Sequence, residues 1–264
     1  MPMNRVRVRR DHPYAPAWTL VMLLTALTMY LVTEGLSYPA QQPALAPLEQ
    51  VDWTISPLSV SLVVLSRAGD EAAARIEAAR YVSRGAAGYI LPGSSEYLII
   101  GAGYDSADEA AKVLKKLEAE EKLTASVATR DAPELNVRLT GTRAQAQALM
   151  GAEQALRGAT AALGEAAFSL DAGTLPLSGA REALLNARAE AKKARETLRK
   201  AAGSEENAAS LGLAALLSSL EDAISTMLFD AQTSPLFFSS QMKYNYIDLR
   251  LRHISFLSRL AGDG

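Results

Sequence analysis

The chain has 264 residues and a formal net charge of −2, and 49% of its residues are hydrophobic. It contains no cysteine and two histidines, His12 and His253. This composition excludes disulfides and cysteine nucleophiles, and leaves little material for a His-rich metal site or a Ser-His-Asp triad. The near-neutral charge gives no reason to expect binding to nucleic acid.

The N-terminal segment is typical of a membrane anchor. No charged residue occurs from Ala15 to Val32, a length that can cross a bilayer as a helix. Four arginines precede it, and such residues stay on the cytoplasmic side of a membrane: Arg5, Arg7, Arg9 and Arg10. We therefore expect a cytoplasmic tail at 1–14, one transmembrane helix at 15–36 and an extracytoplasmic C-terminus in the cell membrane. A cleaved signal peptide and a buried helix of a soluble protein are the alternatives.

A proline-rich stretch follows the predicted anchor. Residues 37–57 contain prolines at both ends, which indicates an extended, semi-rigid linker. The folded part can begin within this stretch, at Val51-Asp52-Trp53.

The next segment, 58–141, repeats a strand-then-helix pattern. The predicted strands are 59–65, 86–91, 97–102 and 124–130, with a further extended piece at 134–141, and the helices are 71–83 and 107–122. Asp70 is placed to cap the first helix, Gly85 to end it in a left-handed conformation, and Ser106 with Glu109 to form a capping box.

Two βαβ halves in one small domain predict a ferredoxin-like split-βαβ sheet of order βαββαβ, with both helices on one face. We expect the first helix to bury Ala72, Ile76, Ala79 and Val82. The strand residues expected beneath the helices are Val60, Leu62, Val64, Leu98, Ile100 and Val127. The other face is predicted to be open, lined by Ser59, Ser61, Tyr89, Tyr97, Ile99, Ser126 and Arg130.

The residues at the third strand and second helix resemble a known family. "GAGYDSADEAAKVLKKL" matches a Gly-x-Tyr/Phe-x-Ser-x-x-Glu-Ala pattern at Tyr104, Ser106, Glu109 and Ala110, with Gly103 directly before the tyrosine, one position after the pattern's glycine. Upstream, "RGAAGYI" occupies the place of the second-strand entry. On these residues 59–130 resembles the SPOR (sporulation-related repeat) domain. The first strand departs from the pattern, because "LVVLSRAG" lacks the usual Gln and aromatic residue.

The resemblance implies binding to peptidoglycan glycan strands during cell division or sporulation, by a single-pass protein with the SPOR domain outside the cytoplasmic membrane. A sugar chain is bound by flat rings, hydroxyls and a few charged donors. Ser61, Tyr89, Tyr97 and Arg130 are the candidate glycan-binding residues on the predicted open face.

Residues 142–264 are predicted to form an all-α helical bundle. Large and small apolar residues alternate at heptad spacing from Leu149 to Leu170, and similar seams follow in three further helices. Thr142 with Gln145 forms a capping box, and Ser234-Pro235 starts the last helix. His253 lies among apolar positions and is read as a core residue. The charge-free stretch 211–217 is bracketed too closely by acidic residues to cross a membrane.

The chain is therefore predicted to be an α+β, noncatalytic envelope protein that needs no cofactor or metal. It would bind glycan strands through the sheet and division or sporulation proteins through the C-terminal helices. The first alternative is a membrane-tethered scaffold whose sheet and helices bind protein partners. An enzyme of wall metabolism and an RNA-binding sheet are further alternatives, which the missing catalytic and ribonucleoprotein motifs disfavour.

Overall fold

The computed structural model describes residues 47–122, 124–203, 207–229 and 234–262. The predicted cytoplasmic tail, the transmembrane helix and most of the linker lie outside the described residues.

The described residues form six strands and six α-helices, which confirms the α+β class. The strands are β1 Glu49–Ile55, β2 Leu58–Ala68, β3 Tyr89–Pro92, β4 Tyr97–Tyr104, β5 Ser126–Ala132 and β6 Leu135–Gly141. The helices are α1 Glu71–Val82, α2 Ala107–Lys116, α3 Arg143–Asp171, α4 Leu177–Ala202, α5 Ala208–Phe229 and α6 Pro235–Leu260. A π-helical turn, Leu117–Glu121, extends α2.

Two antiparallel sheets contain these strands. The larger has the order β3-β4-β2-β5, so each crossover helix joins two strands that flank a third, as in a split βαβ unit. The smaller is a ribbon of β1 and β6 in which Trp53 pairs with Val137. The end of the predicted linker thus belongs to the fold, because β1 is paired along its whole length.

Local capping explains where the helices begin. The Asp70 side chain accepts from Ala73 N, and the predicted box of Thr142 and Gln145 is present. Ser234 caps α6 and precedes Pro235 at the first helical position. Ser106 caps α2 by accepting from Asp108 N at 3.2 Å. Gly85 has φ +89°, the left-handed conformation that its position after α1 predicts.

Both faces of the larger sheet are covered, so the prediction of an open reverse face is wrong. Helices α1 and α2 lie on what we call the crossover face, where they pack on Val63, Leu65 and Ile99. The opposite face, which we call the bundle face, packs against the C-terminal helices. The bundle face contains most of the residues that were expected beneath α1 and α2, namely Val60, Leu62, Val64, Leu98 and Ile100.

The physical reason is the uninterrupted apolar run Leu62–Leu65 in β2. All four of its residues are buried, and in a strand successive side chains point to opposite faces. Such a run is typical of a strand covered on both sides, whereas a strand with one exposed face alternates apolar and polar residues. The run therefore requires a second covering layer, which the bundle supplies.

The C-terminal helices bury the predicted seams. In α3 the buried seam includes Leu149, Leu156 and Leu163, and in α5 it includes Leu213, Leu220 and Ile224. Within the described residues, α5 is the one helix long and apolar enough by length and composition to cross a membrane. It packs among the other bundle helices, and its Glu221 is paired with Arg195 of α4 at 2.6 Å.

The sheet and the bundle share one hydrophobic core. A single cluster of buried side chains runs from Trp53 in the β-ribbon through Leu62 and Ile100 to Leu156 and Ile247 in the helices. Residues Leu48–Gly264 accordingly make one compact unit. The segments 58–141 and 142–264 are therefore packed as layers of the same unit.

Candidate functional site

The four candidate glycan-binding residues lie on different parts of the sheet. Ser61 is 2% exposed and lies 3.4 Å from the Thr129 hydroxyl, on the same face as Val63. Tyr97 lies on the crossover face, where it packs against Ile99 and the buried alanines of α1. Arg130 is exposed on edge strand β5, where its guanidinium donates to its neighbour Thr129 O at 3.0 Å.

The fourth candidate, Tyr89, lies on edge strand β3 at the bundle face. Its hydroxyl donates to Asp248 of α6 at 3.4 Å, and its ring is 5.0 Å from that of Tyr244. Burial raises its pKa to about 12, with Asp248 as a further cause. The structure therefore does not bring the four side chains together into one surface.

A row of buried polar side chains on α6 faces the sheet and α3. Its members recur at alternating spacings of four and three, and each is at most 8% exposed: Ser239, Lys243, Tyr246, Arg250 and His253. We call this row the polar seam. Buried polar groups require partners, and the seam finds acidic partners on α3 and on the loop after β4. A cavity that opens to solvent lies near each end.

The first cavity, which we call the cleft, has a volume of about 330 Å³. It lies where strand β4 extends past the end of β3, between the segment after α1 and the C-terminal end of α2. Its lining includes the apolar residues Val63 and Leu65 together with Tyr81 and Arg84. A concave site that combines apolar residues with a few convergent polar groups is the usual form of a ligand site.

An ion pair forms one side of the cleft. The Lys243 ammonium is paired with the Asp171 carboxylate at the end of α3, and it donates to Gly85 O at 2.6 Å. The Lys243 side chain is 9% exposed and that of Asp171 is 36% exposed, so the carboxylate is the more accessible partner. The Ser239 hydroxyl also donates to Asp171. The ion pair thus places a hydrogen-bond donor, the ammonium, and an acceptor, the carboxylate, at fixed positions beside the cleft.

Tyr104, the tyrosine of the family-like motif, lines the same cleft. Its ring stacks on Phe168 of α3 with centroids 4.8 Å apart and planes 12° from parallel. Its pKa is raised to about 12, chiefly by burial and in addition by the negative charges of Asp171 and Glu109. The phenol therefore keeps its proton at neutral pH and can donate a hydrogen bond.

The middle of the polar seam fastens α6 to the loop after β4. Asp105 accepts from the Tyr246 hydroxyl at 2.5 Å and from the Arg250 guanidinium at 2.8 Å. Burial raises the pKa of Tyr246, the nearby Arg250 charge lowers it, and the bond to Asp105 raises it. These contacts place Tyr104 and the cleft at a fixed position relative to the bundle.

Two features of the sequence indicate the cleft, although the strand alternation used to choose the candidate residues takes no account of them. Gly85 and Tyr104 both belong to the segments that resemble the family, and both line the cleft. The polar seam follows the 4-3-4-3 spacing of a core seam, and polar residues at such spacing indicate a buried network. Asp171 and Lys243 are 72 positions apart in sequence, so their pairing could not be read from a local pattern.

Comparison with known proteins gives no relative. No protein-family model matches the chain, and neither the curated proteins nor the solved structures include a significant match.

Proposed function

We propose that the chain is a noncatalytic, single-pass protein of the cell envelope that binds peptidoglycan glycan strands in the cleft. In this proposal residues 15–36 anchor it in the cytoplasmic membrane, and the unit that starts at Leu48 lies outside. The βαββαβ segment would be a SPOR-like domain whose bundle face is occupied by its own C-terminal helices. Its role would be in cell division or sporulation, as the resemblance implies.

One observation carries the proposal. The two family-like segments, one with Gly85 and the other with Tyr104, meet at one cavity together with the ion pair of Lys243 and Asp171. Glycan recognition requires ring surfaces, hydroxyl donors and charged groups that can bind sugar hydroxyls and amides. Tyr81, Tyr104 and both members of the ion pair line the cleft. Its volume suits one sugar unit of a longer strand.

Co-sedimentation of the full chain, in mild detergent, with purified peptidoglycan sacculi tests the proposal. Tyr104→Phe removes the phenol oxygen and keeps the stacked ring, so we expect affinity to fall about fivefold, the value of one hydrogen bond. Tyr97→Phe is the matched control, because Tyr97 is a half-buried tyrosine of the same strand outside the cleft. We expect it to bind as the unchanged chain does.

Two results would contradict the proposal. One is recovery of the unchanged chain on unrelated polysaccharide beads at the same level as on sacculi. The other is a loss of binding in Tyr97→Phe with none in Tyr104→Phe. That result would indicate that glycan binds at the residues predicted from the sequence and not in the cleft.

A second candidate is a membrane-tethered scaffold for protein partners. It is favoured by exposed aromatic side chains on α6, where Phe237 and Tyr244 are 45% and 43% exposed. Localisation of a fluorescent fusion separates the two functions. If Phe237→Ser with Tyr244→Ser disperses the protein and Tyr104→Phe does not, the scaffold is the better explanation.

A further inference from the structure

A second cavity lies toward the other end of the polar seam and is separate from the cleft. Its volume is about 420 Å³. Four segments enclose it: the turn between β1 and β2, the loop after β4, helix α3 and helix α6. The residues used below are Ser59, Asp105, Arg157, Gly158 and Arg250, all of which line it.

Two guanidiniums converge on this cavity from different helices. Arg157 of α3 donates to Ser56 O at 2.7 Å and to Pro57 O at 3.1 Å, and its Nε pairs with Glu153. Arg250 of α6 packs over the Tyr246 ring at 5.4 Å. The backbone carbonyls, the ring and one paired carboxylate for each cation, Glu153 for Arg157 and Asp105 for Arg250, hold both guanidiniums in place.

The Arg250 side chain has an unused donor. It is 6% exposed, and one terminal nitrogen bonds both oxygens of Asp105, at 2.7 and 2.8 Å. Its Nε is buried and has no hydrogen-bond partner among the described residues. A buried donor of a charged group without a partner is costly, so this position favours an acceptor that the chain does not provide.

The residues that line the cavity have a net charge of +1, and the negative charge that balances it, on Glu153, lies behind Arg157. Two guanidiniums and one carboxylate, Asp105, line it, whereas Glu153 is buried beneath Arg157 and is absent from the lining. The Ser59 hydroxyl lies at the rim, where it donates to the Asp105 backbone O over a long 3.4 Å and can rotate toward another acceptor. Guanidiniums bind carboxylates and phosphates through paired N–H donors.

We propose that this cavity binds a small oxyanion, a carboxylate or a phosphate group, between Arg157 and Arg250. Ser59 contributes a hydroxyl donor, and Gly158 leaves the space that the anion fills. A Cβ added at Gly158 would meet no atom within 4 Å, so the helix surface is open at this point. The site does not depend on glycan binding in the cleft.

Calorimetric titration of the full chain, in a detergent without charge, tests the site with inorganic phosphate, acetate and N-acetylmuramic acid. N-acetylglucosamine, which lacks the carboxylate, is the uncharged control. We expect saturable binding of at least one anion and none of the control. Phosphate alone would identify a phosphate-bearing ligand, and N-acetylmuramic acid together with acetate would identify a carboxylate.

Gly158→Leu is the decisive variant, because it fills the cavity and leaves both arginines in place. We expect it to weaken anion binding about tenfold or more, since the anion loses its contacts with both guanidiniums. Gly151→Leu is the matched control, because Gly151 is on the same helix two turns earlier and also has nothing within 4 Å of an added Cβ. It should bind anions as the unchanged chain does.

Ser59→Ala removes one neutral donor, and a loss of about threefold is expected. The inference is overturned if none of the anions binds up to about 10 mM, a concentration at which weak sites are occupied. It is equally overturned if Gly158→Leu and Gly151→Leu bind the same anion equally well. Either result would leave the two arginines as structural contacts alone.

Discussion

His253 is the residue whose ionisation is most strongly changed by the fold. It is 2% exposed, and burial lowers its pKa to about 3, with the charges of Arg157 and Arg250 as further causes. Its nearest acidic group is Glu153, with Oε1 3.6 Å from Nε2. The imidazole is therefore neutral in the folded chain across the physiological pH range.

This ionisation makes stability dependent on pH. Below pH 6.5 His253 binds a proton in the unfolded chain but stays neutral in the folded chain. The free energy of unfolding therefore falls as the pH falls from 6.5 toward 3. The loss at pH 5 is about 2 kcal/mol. In His253→Asn we expect the difference in unfolding free energy between pH 7.5 and pH 5 to shrink by about that amount, measured by urea denaturation. An unchanged difference would contradict the lowered pKa.

At the scale of single elements, close packing between α5 and α6 depends on a glycine. A Cβ at Gly212 would lie 2.6 Å from Cδ2 of the Phe256 ring, and Phe256 is itself buried. The two helices can approach only because this position has no side chain.

Gly212→Ala should therefore destabilise the chain by about 2 kcal/mol, even though alanine favours a helix. Gly151→Ala is the control, because its added Cβ would meet no atom within 4 Å. It should stabilise the chain by up to about 1 kcal/mol through helix propensity alone. Thermal denaturation of both variants measures the contrast, and a similar change in both would show that Phe256 can move aside.

One element differs from its predicted packing. The stripe expected on α1 included Ile76, but that side chain is 65% exposed, and the helix buries Ala74 and Ala78 instead. The reason is that small side chains let the helix approach the sheet closely at Ile99. A helix rich in alanine has several weakly apolar faces, so periodicity alone does not select the one that contacts the sheet.

At the scale of the whole molecule, the core that joins sheet and bundle predicts a single unfolding transition. Neither layer can separate without exposing buried residues of the other, such as Leu62 and Ile247. In a form that starts at Pro47, Trp53 is the one tryptophan, and it reports on the β-ribbon, while far-UV circular dichroism reports mainly on the helices. We expect the two midpoints to coincide. Separate midpoints would mean that the layers unfold independently.

The sequence by itself determined the features that depend on neighbouring residues. The order βαββαβ, the caps at Asp70, Thr142 and Ser234, and the heptad seams of the bundle all follow from patterns within a few turns of chain. Such patterns state how a segment folds and which of its sides is apolar.

Only the tertiary structure decided which surfaces meet. Both sides of β2 are apolar, and nothing local states whether α1 or α6 covers a given side. For the same reason Ser61, Tyr89, Tyr97 and Arg130 were grouped by strand alternation, whereas the cleft joins residues such as Tyr104 and Lys243 that are distant in sequence. Which two apolar surfaces pack together depends on the total apolar area that the whole chain can remove from water, and a local pattern does not contain that information.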